Sequence, residues 1–131
     1  MSVQAGNLDA VRRYADAWSA GDLAAIFASY HDAFTLHYGG SSSLAGDHVG
    51  KPAALKALAE VSRRTGRKLL GIVDVAAGES RAVIFARESF TRGGETVELE
   101  RMLVYTVVDG LLHECWVFDR DQALVDRFLA A

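Results

Sequence analysis

Apolar residues recur at helical spacing in four segments of the chain. These segments are residues 7–21, 22–31, 51–66 and 122–131. Asp22 is a residue type that caps helix N-termini, and Pro52 lies in a first turn, where proline is tolerated. Gly21 and Gly66 follow the first and third segments, as expected of helix C-caps. The pattern therefore predicts four helices.

Strand patterns dominate the second half of the chain. Runs of β-branched, aromatic and alternating apolar residues predict strands over residues 34–38, 68–77, 81–91, 96–108 and 111–119. The Gly- and Ser-rich stretch HYGGSSSLAGDHVG is predicted to be a loop. The order of the elements predicts a single α+β domain over residues 1–131, with helices on one face of a curved, mostly antiparallel sheet.

Two tight turns predict which strand residues face each other. A two-residue loop at residues 109–110 would place Glu100 opposite Asp119. A second such loop at residues 93–94 would place Arg87 opposite Glu100. Because cross-strand partners point to the same face, the register predicts a charged row Arg87–Glu100–Asp119 across three strands.

Both faces of this predicted sheet are largely apolar. The face with the charged row would also carry Phe85, Met102, Val104, Cys115 and Val117. The other would carry Leu99, Arg101, Leu103, Tyr105, Trp116 and Phe118. One face must hold the helices and the other would meet a partner subunit, but periodicity alone does not assign them. A β-bulge would shift the register beyond it.

Composition narrows the function classes. A net charge of −3 and a pI near 5.7 give no electrostatic footprint for nucleic acid or an anionic membrane. We find no signal-peptide pattern and no apolar run long enough to span a membrane, so we expect a cytoplasmic protein. The single cysteine, Cys115, could be a nucleophile or a small buried hydrophobe. No spacing of residues suggests a metal site or a bound cofactor.

The segments RYADAWSAGDLAAIFASYHDAFTLHY and ECWVFDRDQALVDRFL carry a family resemblance. They resemble the SnoaL-like and ketosteroid-isomerase-like branch of the nuclear transport factor two-like superfamily, and the order of helices and strands agrees along nearly the whole chain. The resemblance implies a cone-shaped α+β barrel whose helices close the concave face over a deep apolar pocket. It also implies a homodimer. Known activities of the superfamily include isomerases, cyclases and dehydratases, alongside members that only bind or dock.

The family's functional positions match this chain in part. Tyr14 falls where the isomerases place the tyrosine that donates to the substrate oxyanion. Their general-base aspartate falls on Tyr38 and their oxyanion-hole aspartic acid falls near Met102, so both carboxylates are missing, which argues against steroid isomerisation. SnoaL-type cyclases carry an acid/base aspartate just after a tryptophan, and Asp119 after Trp116 is the nearest match.

Asp119 is the main candidate for chemistry. A carboxylate that faces an apolar pocket loses hydration, and its raised pKa suits a general acid or base. Glu100 and Arg87, as neighbours in the row, would tune it. The alternative is that Arg87 neutralises a buried pair, or that Asp119 caps the final helix, although Asp121 is better placed as the cap.

The expected site has a wall as well as a catalytic group. Tyr14 would donate a hydrogen bond to the substrate. The substrate-binding wall would consist of Trp18, Phe34, Tyr38, Phe85, Met102, Val104, Cys115 and Val117. For Tyr14 and for the wall residues alike, the alternative is an ordinary packing role in the core.

Three functions remain open at this point. The first is a cofactor-independent acid/base enzyme, of isomerase, cyclase or dehydratase type, acting on a small hydrophobic molecule with a carbonyl group. The second is a non-catalytic binding protein of the same fold, which the missing isomerase carboxylates favour. The third is a docking dimer that uses its outer sheet face.

Overall fold

A computed structural model of the chain describes residues 2–131. Its helices are α1 (Val3–Ala20), α2 (Leu23–Ala28), α3 (Lys51–Thr65) and α4 (Gln122–Phe128). Its strands are β1 (Tyr30–Tyr38), β2 (Gly46–His48), β3 (Lys68–Ala77), β4 (Ala82–Arg92), β5 (Glu95–Val108) and β6 (Leu111–Asp119).

The six strands form one curved, unclosed sheet in the order β2-β1-β6-β5-β4-β3. The pairing of β1 with β6 is parallel, and every other pairing is antiparallel. The predicted α+β class and the mixed, mostly antiparallel sheet are therefore confirmed.

The four predicted helices are confirmed, with different ends. The Asp22 side chain accepts a hydrogen bond from Ala25 N at the start of α2, and Gly21 and Gly66 end α1 and α3 in the left-handed conformation. The chain leaves α2 earlier than predicted and enters β1 at Tyr30. None of the described helices combines the length and the hydropathy that a membrane span requires.

The loop predicted before α3 contains a short strand that the sequence analysis missed. Residues Gly46–His48 form β2, which pairs with the end of β1 through Leu36 and His48. A three-residue strand in a Gly- and Ser-rich stretch lacks the alternation by which strands are recognised.

Both predicted hairpin loops are present. Val108 pairs with Leu111 across residues 109–110, and Arg92 pairs with Glu95 across residues 93–94. All four loop residues have positive φ angles, which is the conformation of a type I′ turn. Arg87 accordingly lies opposite Glu100, as predicted.

A β-bulge changes the register between β5 and β6. The pairing shifts by one residue at His113, so that Arg101 and not Glu100 lies opposite Asp119. The predicted row Arg87–Glu100–Asp119 is therefore wrong, because side chains alternate between faces and a shift of one residue reverses them.

The helices pack on the concave face of the sheet, where the core lies. Its fully buried residues come from the sheet, from α1 and from α3, and include Ile84, Phe90, Leu112, Val11 and Val61. Val125 and Phe128 of α4 are also buried in this core.

The cap of α4 gives a first prediction. The Asp121 side chain accepts a hydrogen bond from Leu124 N at 3.1 Å, which confirms it as the helix cap. Asp121→Ala should lower the free energy of unfolding by about 1 kcal/mol, because an amide at the helix start loses its partner. Urea unfolding measures the change. Asp121→Asn keeps the acceptor and is the matched control; an alanine variant as stable as the asparagine variant would contradict the assignment.

Candidate functional site

A network of four buried charges lies on the concave face. Arg101 of β5 donates to both oxygens of Asp119, from Nε at 2.6 Å and from Nη2 at 3.1 Å. Its Nη1 donates to Glu88 of β4 at 3.3 Å. Glu88 also accepts a hydrogen bond from Nε of Arg67, the residue just before β3. The side chains of Glu88, Arg101 and Asp119 are at most 2% exposed.

The four charges balance, which makes their burial tolerable. An isolated charge in the core would lose its hydration without compensation, whereas paired and hydrogen-bonded charges recover part of that cost. Burial alone would raise the pKa of Glu88, but the two guanidinium groups hold it below its usual value. Burial raises the pKa of the Asp119 carboxyl, and Arg101 opposes that rise.

Two tyrosine hydroxyls meet beside this network. The hydroxyl oxygens of Tyr14 on α1 and Tyr30 on β1 are 2.6 Å apart, and both residues are buried. Burial raises the pKa of both hydroxyls, so both stay protonated at neutral pH. One hydroxyl donates to the other, which leaves one proton of the pair without a partner among residues 2–131.

Behind the tyrosine pair lies a small internal cavity. It has a volume of about 20 Å³, and its lining includes Tyr14, Tyr30, Tyr38 and Arg67. A volume of this size holds about one water molecule or one ligand oxygen atom. The Tyr38 hydroxyl accepts a hydrogen bond from Arg101 Nη2 at 2.7 Å, so its own proton is free to point at this space.

A larger cleft opens on the outer side of the tyrosine pair, between α1, α2, α3 and the start of β3. Its volume is about 660 Å³, within the range of small-molecule sites. Its walls are mainly apolar, with Trp18, Leu23, Ile26, Phe27, Leu55 and Leu58 among them. Tyr14, Tyr30 and Arg67 line both the cleft and the internal cavity.

Several predicted site residues lie near these spaces. Tyr14, Phe34, Tyr38, Cys115 and Val117 line the internal cavity, and Trp18 lines the cleft. Asp119 lies on the same concave face but lines neither space. Burial raises the pKa of the Cys115 thiol to about 12, so a thiolate nucleophile is disfavoured there.

Five predicted site residues lie on the outer face of the sheet instead. These are Phe85, Arg87, Glu100, Met102 and Val104, so the predicted place of Arg87 and Glu100 in a row with Asp119, and of the other three in the pocket wall, is wrong. Arg87 contacts Glu98, and Glu100 contacts Arg120, in exposed ion pairs. The physical reason is the bulge at His113: the inward residues of β6 are Cys115, Val117 and Asp119 as predicted, but they share a face with the odd-numbered residues of β5.

Sequence analysis missed four polar residues of the interior. These are Tyr30, Arg67, Glu88 and Arg101. A usable signal existed for Arg101, because it interrupts the apolar alternation Leu99, Leu103, Tyr105. Without the bulge, however, that alternation is assigned to the outer face.

Comparisons with known proteins agree on the fold. The family model for the SnoaL-like domain matches residues 11–115. Bal32a from a soil-derived mobile gene cassette is 23% identical, with a TM-score of 0.86 over 98% of this chain and 99% of that one. An NTF2-like protein from Burkholderia xenovorans LB400 is 18% identical, with a TM-score of 0.77 over 96% and 97% of the two chains.

A proposed SnoaL-like polyketide cyclase from Jannaschia sp. CCS1 also has a similar structure. It is 17% identical, with a TM-score of 0.77 over 100% of this chain and 96% of that one. The search of curated proteins finds no match. At these identities the solved structures support a shared fold and do not transfer an activity.

The ion network gives a second prediction. Glu88→Gln leaves two buried guanidinium groups with one carboxylate, and should lower the free energy of unfolding by about 3–5 kcal/mol at pH 7. The pKa of Glu88 is held below its ordinary value of 4.5 in the folded protein. Its contribution to stability is therefore complete above pH 4.5 and is lost as the pH falls through the folded pKa.

Urea unfolding between pH 7 and pH 3 measures both effects. The wild-type protein should lose more stability on acidification than Glu88→Gln does. Glu95→Gln makes the same change in an exposed ion pair with Arg127 and should cost much less. Equal losses in the two variants would refute the role of the network.

Proposed function

The chain belongs to the SnoaL-like domain family, and from that premise we propose that it is a cofactor-independent acid/base enzyme of cyclase or isomerase type. Its substrate is a small hydrophobic molecule that bears a carbonyl group. The observation that carries the proposal is the buried Tyr14–Tyr30 hydroxyl pair at the inner end of an apolar cleft.

The tyrosine pair suits a carbonyl oxygen that gains negative charge. In enolisation or in carbon–carbon bond formation through an enol, charge develops on that oxygen, and fixed donors stabilise it. The apolar body of the substrate fills the cleft, and its carbonyl oxygen reaches the donors at the edge of the small cavity. Because the pKa of each tyrosine is raised, the donors keep their protons at neutral pH.

Asp119 acts in this proposal as a positioning residue. Both of its oxygens accept hydrogen bonds from Arg101, and Arg101 donates to the Tyr38 hydroxyl, which lines the cavity. The carboxylate itself lines neither the cavity nor the cleft. It therefore holds Arg101, and through it Tyr38, in place.

The lining of the cleft also bears on the substrate. It contains no carboxylate and no imidazole among the described residues, so the protein supplies no such base to help remove a proton from carbon, and the proton that leaves carbon passes to solvent water. A substrate with a readily formed enol, such as a compound with two carbonyl groups flanking one carbon, needs the least help of this kind. We propose that class of substrate.

A non-catalytic small-molecule-binding protein is the second candidate. The same lack of a base in the cleft favours it, as does an interior that side chains almost fill. The two candidates differ in one observable, because only the enzyme accelerates a proton transfer or a cyclisation in the molecule that it binds.

Tyr14→Phe tests the proposal. The exchange of the central-carbon protons of benzoylacetone into deuterated water, followed by NMR, reports enolisation. Wild-type protein should accelerate this exchange, and Tyr14→Phe should lower kcat about 100-fold, the typical loss for one oxyanion donor. Thr65→Val is the matched control, since it removes a buried hydroxyl that donates to Val61 O and lines neither the cleft nor the cavity. It should change kcat by less than about threefold.

Two outcomes count against an enzyme. Benzoylacetone that binds without any acceleration of exchange would favour the binding protein. Equal activity in wild type and Tyr14→Phe would remove the tyrosine pair from the mechanism.

We further propose that the protein is a homodimer through the outer face of the sheet. Phe85, Met102 and Phe118 pair in one row across β4, β5 and β6 on that face. Phe85 and Phe118 are 41% and 51% exposed, which is high for residues of this size. They border a groove of about 410 Å³ whose rim carries Glu100 and Arg120. A surface with an apolar centre and both charges at its rim suits a two-fold contact with its own copy.

Phe118→Asp tests the dimer. Sedimentation velocity at micromolar concentration should give a dimer for the wild type and a monomer for the variant, because a desolvated carboxylate opposes association. Val49→Asp makes the same apolar-to-acidic change at an exposed position outside the sheet and should remain dimeric. A monomeric wild type would overturn the proposal.

A further inference from the structure

The guanidinium group of Arg67 is only partly used by the protein. Its Nε donates to Glu88, and its central carbon, Cζ, lies 5.2 Å from the centre of the Trp18 ring. Its two terminal nitrogens have no hydrogen-bond partner among residues 2–131, although the side chain is only 15% exposed. Arg67 lines both the cleft and the internal cavity.

Because its two terminal nitrogens have no partner among the described residues, the Arg67 guanidinium can donate hydrogen bonds to an anion. The fixed planar fork of its two terminal nitrogens matches the two oxygens of a carboxylate. Glu88 and Trp18 already hold the group in place, so little rotamer freedom is lost when a ligand binds.

The other charged side chain of the cleft is positive, like Arg67. Its lining includes Lys56 and Arg67 and no aspartate or glutamate, in a chain whose net charge is −3. Lys56 is exposed at the outer part of the cleft, where a positive charge raises the local concentration of anions. The four-charge network is neutral by itself, so Lys56 supplies the charge that compensates a bound anion.

Volume then sets the orientation of the ligand. The internal cavity of about 20 Å³ has room for one oxygen atom. The apolar body must therefore stay in the cleft, among residues such as Leu23 and Phe27, with its oxygen-bearing end toward Tyr14 and Arg67.

We propose that Arg67 is a carboxylate receptor and that the ligand of this cleft is an apolar keto acid. The carbonyl oxygen meets the Tyr14–Tyr30 hydroxyls, and the carboxylate meets the terminal nitrogens of Arg67. This proposal rests on the proposed function for the position of the carbonyl group, and it adds the anionic group and its receptor.

Calorimetric titration with β-naphthoate and its neutral amide, β-naphthamide, tests the carboxylate receptor at pH 7. Wild-type protein should bind the acid about tenfold to a hundredfold more tightly than the amide, the range that charge-assisted hydrogen bonds give. Arg67→Met should remove most of this preference and leave the affinity for the amide unchanged. Arg67→Lys should keep only part of it, because an ammonium group lacks the fork.

Two further variants change single positive charges near Arg67: the first is a control, and the second tests the role of Lys56. Lys68→Met removes an exposed positive charge next to Arg67 that does not line the cleft, and it should leave both affinities unchanged. Lys56→Gln should weaken binding of the acid and not of the amide. Circular dichroism verifies the fold of Arg67→Met, since Glu88 loses a partner there; should that variant not fold, the acid-to-amide ratio of wild type and of Arg67→Lys decides.

The outcomes separate this inference from the proposed function. Equal affinity of wild-type protein for acid and amide overturns the carboxylate receptor, whatever the enzyme does with benzoylacetone. A strong acid preference that depends on Arg67 supports the receptor even where no exchange of benzoylacetone occurs. Phe27→Ser should weaken both ligands, and no change in either would show that they bind outside the cleft, which also overturns the inference.

Discussion

The interior depends on the pairing of the buried charges Glu88, Arg101 and Asp119. These residues lie on the concave face of the sheet, which the helices bury, so each charge must find a partner inside the protein. Arg101 satisfies both carboxylates and still reaches Tyr38. Arg67, the residue just before β3, closes the network. Since each charged group fixes another, the network orients the polar groups around the cavity more rigidly than apolar packing alone would.

The same network determines which chemistry is left for the cleft. Its two carboxylates are fully engaged with guanidinium groups, so neither is a free base. What faces the cleft is a set of donors: the tyrosine pair and the outer part of Arg67. A site of this kind stabilises negative charge on oxygen, and it separates that task from the apolar walls, which hold the body of a ligand.

The sequence predicted most of the scaffold and part of the site, for reasons that differ between residues. Helix ends and hairpin loops were predictable because Asp22, Gly21 and the Asp109-Gly110 turn impose local backbone conformations. Tyr14, Trp18 and the inward side of β6 could be recognised from periodicity and resemblance. The bulge at His113 could not, since no local signal distinguishes an extra strand residue there, and every cross-strand partner of Asp119 depended on it. Arg67 could not be recognised for another reason: its partner Glu88 lies on β4, 21 residues further along the chain.

The bulge also bears on how this scaffold can change over evolutionary time. Leu112 pairs with Val107, and Glu114 pairs with the preceding residue Thr106, so His113 is the extra residue of the bulge. Deletion of His113 would therefore restore an unbroken ladder and leave Cys115, Val117 and Asp119 facing the helices. Loss of this one residue would shorten β6 and leave its inner surface unchanged, whereas a slip of the ladder by one residue would exchange that surface for Trp116 and Phe118. A bulge can thus absorb a change in strand length while the residues that face the interior stay the same, which a deletion elsewhere in the strand cannot do.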